Sequence, residues 1–421
     1  MKKTLAAVAV LGAFAGSALA ADVTLYGRVD AGLNYTNQDF KHASDSTKDY
    51  DKDSFALKSG QYTGSRFGLK GSEQVSENLT VGFQLENGFN VDDGSFGDGD
   101  RLFNREARIY AKTQFGEFAF GRMGGIDSGL GSYDMVGDAS PFGTGWGGYT
   151  GSMSVFVGKT SRYDNMITYK SPTFAGLTVI AQASLKEDST ADGEEGQHTA
   201  NRYYAVGVSG EYGAFSGALT YSMQDYSGLK DRMTGSAYVE LEDGEITEVS
   251  TGELKAVTKD MINDDDGQTI TAWGAYDFGV TKVSLGAQYF DNVAQSRGSV
   301  TAAVSATSSI AQVAFDDIEY GFTGYGLILG AVTPVAGGNL YTAAGYANYE
   351  QAISDPTDSA DKENEYEVWS LSVGYDYSLS KRTKLYTALS YTNKTENSGE
   401  RGAKDSETKT TEVMAGMVHY F

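Results

Sequence analysis

The stretch "VTLYGRVDAGLNY" (residues 23–35) alternates between apolar and polar positions along its whole length. One face carries Val23, Leu25, Gly27, Val29, Ala31, Leu33 and Tyr35, and the other carries Thr24, Tyr26, Arg28, Asp30, Gly32 and Asn34. Successive side chains of a β-strand point to opposite faces, whereas a helix would place these polar residues on very different bearings. The pattern therefore predicts a long strand with one apolar and one polar face.

The same period of two recurs throughout the chain, for example in "KVSLGAQYF" (282–290) and "VWSLSVGYDY" (368–377). It predicts sixteen strands, near 23–35, 60–71, 78–90, 105–114, 116–122, 162–170, 174–186, 201–212, 214–226, 268–278, 282–290, 317–333, 339–350, 368–377, 382–394 and 409–421. Their connections alternate between short turns and long polar loops, the loops being 36–59, 91–104, 123–161, 187–200, 227–267, 292–316, 351–364 and 395–408. One end of the sheet therefore has only short turns, and the other end carries large loops.

The composition suits strands better than helices. The 421 residues include 53 Gly and 28 Tyr but only 4 Pro and no Cys, and 12% are aromatic. A chain without cysteine has no disulfide bonds to stabilise it. The formal net charge of −23 argues against a nucleic-acid partner.

The N-terminus has the three parts of a secretory signal peptide. Lys2 and Lys3 form the charged region, residues 5–14 form a short apolar core, and "ALA" (18–20) is the cleavage site. The alternative, a membrane anchor, would need a longer apolar run. We expect residues 1–20 to be removed and 21–421 to form one domain, whose formal charge without the two lysines is −25.

Long two-faced strands favour a membrane barrel over a soluble sandwich, in which strands average about 5–6 residues. A tilted strand needs about ten residues to cross a bilayer, and sixteen strands enclose a water-filled lumen. Closure also satisfies every backbone polar group in hydrocarbon. The sequence predicts an all-β, 16-stranded antiparallel transmembrane β-barrel with short periplasmic turns and long extracellular loops.

Five internal blocks and the "HYF" ending resemble the general porins of Gram-negative outer membranes, most closely the β-proteobacterial group. The blocks are "LYGRVDAGLNY" (25–35), "SRFGLKGSEQVSENLTVGFQLENGFN" (65–90), "RLFNREARIYAKTQFGEFAFGR" (101–122), "SRYDNMITYKSPTFAGL" (161–177) and "LSKRTKLYTALSY" (379–391). The resemblance implies a homotrimer in contact with outer-membrane lipid and lipopolysaccharide. It also implies that the third long loop folds into the barrel.

The composition of that loop fits a confined, strongly bent segment. Residues 123–158 hold eleven glycines and three carboxylates, Asp127, Asp134 and Asp138, and contain neither Lys nor Arg. Glycine allows the sharp bends that such a segment needs. An external loop is the alternative. If the loop folds inward, its carboxylates are expected to form the acidic side of a pore constriction.

Basic residues supply the opposite side of the predicted constriction. Alternation along the strands places Arg28, Arg66, Lys70, Arg108, Lys112, Arg162 and Lys170 on the lumen face. The resemblance carries an arginine cluster onto Arg66, Arg105 and Arg162. Strict alternation, however, points Arg105 outward, and a bulge near the strand end would reconcile the two. For any one arginine, a salt bridge at the rim or in the lumen is the alternative role.

No catalytic centre is visible in the sequence. The histidines, His42, His198 and His419, are scattered, and the absence of Cys removes thiol nucleophiles and Cys/His zinc sites. We therefore predict no enzyme and no cofactor, but a diffusion porin for ions and small hydrophilic solutes that leans towards anions. A substrate-specific channel, an outer-membrane hydrolase and a surface adhesin or antigen using loops 227–267 and 292–316 are the alternatives.

The ending "TEVMAGMVHYF" (411–421) continues the outward apolar face to the last residue. Such a strand must pair with the first one to close the barrel, which leaves no room for a tail. Terminal Phe421, with His419 two positions before it, also resembles the signal that barrel-assembly machinery reads on outer-membrane proteins.

Overall fold

The computed structural model describes residues 23–43, 46–97, 101–151, 153–185, 202–225, 237–240, 246–249, 266–293, 300–304, 311–315, 318–354, 362–397 and 406–421. The predicted signal peptide (1–20), His198 and most of loops 187–200, 227–267 and 292–316 lie outside the described residues. Within the described ranges, no helix combines the length and hydrophobicity that a membrane span requires.

Strands make up most of the described chain. They are β1 (Thr24–His42), β2 (Tyr50–Ser59), β3 (Arg66–Ser76), β4 (Leu79–Gly88), β5 (Glu106–Thr113), β6 (Gly116–Gly124), β7 (Arg162–Lys170), β8 (Leu177–Ser184), β9 (Arg202–Tyr212), β10 (Phe215–Asp225), β11 (Ala237–Glu240), β12 (Ile246–Val249), β13 (Gly267–Asp277), β14 (Lys282–Val293), β15 (Val300–Val304), β16 (Ala311–Phe315), β17 (Ile318–Val335), β18 (Gly338–Ser354), β19 (Lys362–Ser380), β20 (Thr383–Asn397) and β21 (Ser406–Tyr420). The described residues also include three short 3-10 helices, at Ser46–Lys48, Gly137–Ala139 and Met153–Val155.

Seventeen of these strands form one closed antiparallel sheet, while β11–β12 and β15–β16 form two separate hairpins. The sheet closes because β1 pairs with β21 from Arg28↔Tyr420 to His42↔Ser406. On its other side β1 pairs first with β3 and then with β2. β2 and β3 are thus two parts of one barrel strand, interrupted at residues 60–65, and the predicted sixteen-stranded barrel is confirmed.

The interruption at 60–65 turns into the lumen. Asp30, an inward residue of β1 that is fully buried, accepts a hydrogen bond from the amide of Thr63 at 2.7 Å. The carbonyl oxygen of Asp30 accepts another from the amide of Gly60 at 2.9 Å. This lumenal segment was not predicted.

β2 itself lies where a loop, 36–59, was predicted. Its sequence, "YDKDSFALKS", carries the outward apolar face only near its end, where Phe55 and Leu57 pair opposite Tyr35 and Leu33 of β1. The first half, residues 50–54, carries charges on both faces, and nearly all side chains of β2 are exposed. Two apolar positions are too few to mark a strand by alternation.

The two faces of the wall are reversed relative to a soluble protein. Outward residues such as Leu25 and Leu33 are 54% and 49% exposed, whereas inward Asp30 and Asn34 are 0% and 1% exposed. Lipid covers such an apolar outer face in an outer-membrane barrel. The predicted assignment of the apolar face to lipid and the polar face to the lumen agrees with this structure.

The packed interior lies between the wall and residues 125–161, which we call the inner loop. Three buried clusters join the two. The loop contributes Val155 and Phe156 to one cluster, Ile126 and Met135 to another, and Phe142 and Trp146 to the third. The loop is therefore an integral layer of the fold and not a surface segment.

Candidate functional site: the inner loop and the arginine cluster

Asp127 fastens both ends of the inner loop to the wall. Its carboxylate accepts hydrogen bonds from the hydroxyls of Thr160, Ser222 and Tyr203, the last at 2.7 Å. The side chain is 1% exposed, and this burial raises its pKa above the ordinary aspartate value. Since Thr160 lies at the far end of the loop, this one carboxylate joins the start of the loop, its end and two wall strands.

Other wall side chains hold the loop around the lumen. Glu106 of β5 accepts from the amide of Ser132 at 2.6 Å, and the indole of Trp273 in β13 donates to the carbonyl of Met135 at 2.6 Å. Gln288 of β14 accepts from the amide of Gly158 at 2.9 Å. These contacts confirm the predicted inward fold of the third loop.

The far part of the loop is held by Glu412 of β21, which is 1% exposed. Its carboxylate accepts from the amides of Gly148 and Tyr149 at 3.4 and 3.1 Å, and from the hydroxyl of Thr150 at 3.3 Å. Asn34 of β1 donates to the same carboxylate at 3.0 Å. Glu412 therefore supplies the acceptors for three consecutive residues that cannot pair with a strand.

The loop also packs against the lumenal segment 60–65. Trp146 lies 4.7 Å from Tyr62 between ring centroids, and the amide of Gly147 donates to the carbonyl of Gln61 at 2.8 Å. A Cβ on Gly145 would collide with the carbonyl oxygen of Tyr62. Only glycine permits this close approach.

Four arginines meet beside this contact, and we call Arg28, Arg66, Arg105 and Arg162 the arginine cluster. Arg66 and Arg105 share the carboxylate of Glu86, at 3.5 and 2.6 Å. A Cβ placed on Gly64 would lie 3.3 Å from Arg105 Nη1 and 3.8 Å from Arg66 Nη2. The two guanidinium groups therefore lie side by side around one carboxylate.

Arg28 and Arg162 extend the cluster on either side. Arg28 is directly opposite Arg66 in the β1–β3 ladder and donates to the hydroxyl of Thr63 at 3.0 Å. Arg162 interacts electrostatically with Arg105 and Glu86. Among the described residues, its Nε and Nη2 atoms are buried without a hydrogen-bond acceptor. Within the part of the chain that the structure describes, these two donors therefore stay unpaired.

The bulge that was invoked to turn Arg105 inward is absent. The β4–β5 register runs without a shift from Leu79↔Thr113 to Glu86↔Glu106. Arg105 precedes the first residue of β5, so strand alternation does not govern its direction. A register shift does occur between Gly121 and Met123 in the β6–β7 ladder, and it breaks the alternation that was used to orient Arg162.

The structure does not bring the other predicted basic residues into the cluster. Arg108 is ion-paired with Glu106 at 2.9 Å and donates to Tyr133 of the inner loop at 2.6 Å. Lys70 lies over the ring of Tyr26, 5.1 Å from its centroid. Lys170 is eight residues along β7 from Arg162, a distance of about 26 Å in a strand. Lys112 pairs with Glu117 at 3.3 Å.

The three loop carboxylates have different surroundings, and only one fits the predicted acidic side of the pore. Asp127 is an internal tether, as described above. Asp134 accepts from the amides of Val136 and Gly137 at 3.0 and 2.9 Å, and burial raises its pKa to about 6. Asp138 is exposed and lines a cavity of about 390 Å³ together with Arg28. The expectation that all three face the arginines is corrected for Asp127 and Asp134, which bind the loop's own backbone or the wall.

Glu86, Glu412 and the segment 60–65 were not identified as functional parts. The first two lie on the polar face of their strands, where alternation alone would have marked them. At the chain end, Phe421 and Gly27 exchange two backbone hydrogen bonds, both of 3.1 Å. His419 Nδ1 lies 2.9 Å from the hydroxyl of Thr383 in the neighbouring strand.

Comparison with known proteins agrees with this architecture. The sequence matches the Gram-negative porin family over residues 6–397. An outer membrane porin protein of Bordetella pertussis is 30% identical, and the alignment covers 100% of both chains. The solved anion-selective porin from Comamonas acidovorans is 23% identical with a TM-score of 0.60, covering 96% of this chain and 100% of that one. The trimer form of OmpT from Vibrio cholerae is 15% identical with a TM-score of 0.50, covering 96% and 100%. The chain belongs to the Gram-negative porin family and is a diffusion channel of the outer membrane.

Proposed function

We propose that the arginine cluster and the inner loop form the narrowest part of the channel and make it prefer anions. The observation that carries this proposal is that Arg66, Arg105 and Arg162 surround the single carboxylate of Glu86. The anion-selective relative from Comamonas acidovorans has the same fold.

The acidity of the whole chain favours cations, but it acts from farther away. The Debye length is about 8 Å at physiological ionic strength, so carboxylates on distant loops are largely screened. Charges that line the pore where it is narrow are screened less and set ion preference. We therefore expect the local excess of guanidinium groups to outweigh the formal charge of −25 that residues 21–421 carry without Lys2 and Lys3.

Reversal potentials in a KCl gradient across a planar bilayer test this proposal. We expect an anion-selective potential for the unaltered channel and a shift towards cations for Arg66→Gln, Arg105→Gln and Arg162→Gln, largest in the triple variant. Arg382→Gln, in the exposed turn after β19, removes the same charge away from the cluster and should leave the potential in place. An unchanged potential in the triple variant would refute the assignment.

We further propose that residues 1–20 are a cleaved signal peptide, that 21–421 form the mature domain, and that three copies assemble. The trimer form of the Vibrio cholerae relative supports the last point. The exposed apolar outer wall is suited to contact with partner subunits, lipid and lipopolysaccharide. Barrel-assembly machinery is the proposed partner of the closing strand, through Phe421 and His419.

A further inference from the structure

The cavity of about 390 Å³ beside the inner loop has a composition that the ion-sieving role does not require. It lies at the end of the barrel with the short turns, because Lys282 begins β14 directly after such a turn and Tyr420 ends β21. Phe142 and Trp146 of the inner loop line it, together with Tyr62 and Tyr341. It is therefore aromatic as well as charged.

The charges around this cavity sum to a small positive value. Arg28 and Lys282 line it, with Asp138 as the carboxylate. Among the described residues, neither cation has an ion-pair partner within 4.0 Å. Asp30 on β1 attracts Arg28 but does not line the cavity, and it accepts hydrogen bonds from the hydroxyl of Tyr386 at 2.6 Å and the amide of Thr63 at 2.7 Å. The cavity thus offers two cationic groups to a solute and suits a monoanion.

The aromatic wall is rigid and preformed. Ring centroids lie 4.7 Å apart for Tyr62 and Trp146, and 5.1 Å apart for Trp146 and Tyr341. The hydroxyls of Tyr62 and Tyr341 both donate to Asp376, at 2.9 and 3.0 Å, which fixes the two rings. Lys384 binds the same carboxylate at 2.8 Å, so Asp376 adds no unpaired negative charge. A wall of this kind favours a planar ring over a flexible aliphatic chain.

We propose that this cavity is a binding subsite for aromatic carboxylates on their way through the channel. The carboxylate pairs with Arg28 and Lys282, and the ring packs against the aromatic wall beside Tyr341. The volume is within the range of small-molecule sites, about 300–1,000 Å³. The proposal rests on the proposed function in one respect, because Arg28 belongs to the arginine cluster as well as to the cavity. An anion attracted by Arg66 can therefore move to Arg28 and enter the cavity.

Single-channel recording with benzoate tests the subsite. We expect benzoate to reduce the conductance reversibly and saturably. Cyclohexanecarboxylate should have the same effect more weakly, and acetate should have no saturable effect. Lys282→Gln should weaken the apparent benzoate affinity by roughly threefold to tenfold, the range for losing one partly exposed charged contact. Lys381→Gln, in the turn after β19 and outside the cavity, should leave the affinity unchanged.

Two outcomes would overturn the subsite: equal effects of benzoate and acetate on the unaltered channel, or equal benzoate affinities for Lys282→Gln and Lys381→Gln. The first comparison needs no variant, so it holds even if a variant fails to fold. The reversal potential in KCl, measured on the same channels, separates this inference from the proposed function. If benzoate blocks the channel saturably but the channel prefers cations, only the anion preference is refuted. If the channel prefers anions but benzoate gives no saturable block, only the subsite is refuted.

Discussion

Asp134 is expected to make the inner loop sensitive to pH. Burial raises its pKa from 3.8 to about 6, so between these values the folded chain holds a proton that the unfolded chain releases. The stabilisation is therefore complete below about pH 4 and is lost as the pH rises through 6. The shift corresponds to on the order of 3 kcal/mol. Thermal unfolding of the purified channel from pH 4.5 to 7.5 should show this slope, and Asp134→Asn should flatten it.

Asp138→Asn is the matched control, because Asp138 is an exposed carboxylate of the same loop. It should keep most of the slope, because the charge of Asp138 makes only the smallest contribution to the raised pKa of Asp134. An equally steep slope in Asp134→Asn and Asp138→Asn would show that other groups carry the pH dependence.

The three loop aspartates look alike in the sequence. Their differences arise from folded-state neighbours, the hydroxyls around Asp127 and the two amides beside Asp134, which a linear pattern does not contain.

The inner loop is an element without a strand ladder, and Glu412 replaces part of what a ladder would supply. We expect Glu412→Ala to free the loop near Gly148, because two backbone amides and one hydroxyl lose their acceptor. A buried donor left unpaired costs about 1–3 kcal/mol. The variant should show larger conductance fluctuations and a lower unfolding midpoint than the unaltered channel. Single-channel noise and thermal unfolding measure these effects.

Glu407→Ala is the control for the channel noise, since Glu407 is a carboxylate of the same strand and binds Asn393 at 2.8 Å and Lys409 at 3.0 Å on the wall. It should leave the noise close to that of the unaltered channel, whereas the midpoint should also fall because the buried amide of Asn393 loses its acceptor. Quiet Glu412→Ala channels would mean that the aromatic contacts of Trp146 hold the loop without Glu412. β2 marks the limit of prediction from alternation at this scale. Alternation found the strands with a long apolar face, but it missed β2, whose first half carries charges on both faces.

At the scale of the whole molecule, the strands and the closure of the barrel were predictable because the hydrocarbon core of the membrane constrains both. Every lipid-facing strand must alternate, and the edges must pair. The lumen is under no such constraint. Its shape depends on how the inner loop and the segment 60–65 meet, through contacts such as Gly147 with Gln61 that join residues far apart in sequence. The arginine cluster was therefore predictable in part through the resemblance, and alternation places Glu86 on the lumen face, but the sharing of this carboxylate by Arg66 and Arg105 was not predictable.

Closure also sets the expected effect of removing the last residue. Deleting Phe421 removes its two backbone hydrogen bonds with Gly27 and the packing of its ring against Gly27, while the pairing from Arg28↔Tyr420 to His42↔Ser406 remains. The barrel should therefore still refold in detergent, with a loss of about 1–2 kcal/mol in the free energy of unfolding.

If Phe421 is also the signal read during assembly, the variant should be exported and processed normally, yet reach the outer membrane as trimers in clearly reduced amounts. Phe421→Tyr keeps an aromatic end and should assemble nearly as well as the unaltered chain. Fractionation of cells, together with refolding of the purified chain, separates the two roles. Normal trimer levels without Phe421 would refute the signal, and failure to refold would mean that the residue is needed for the barrel itself.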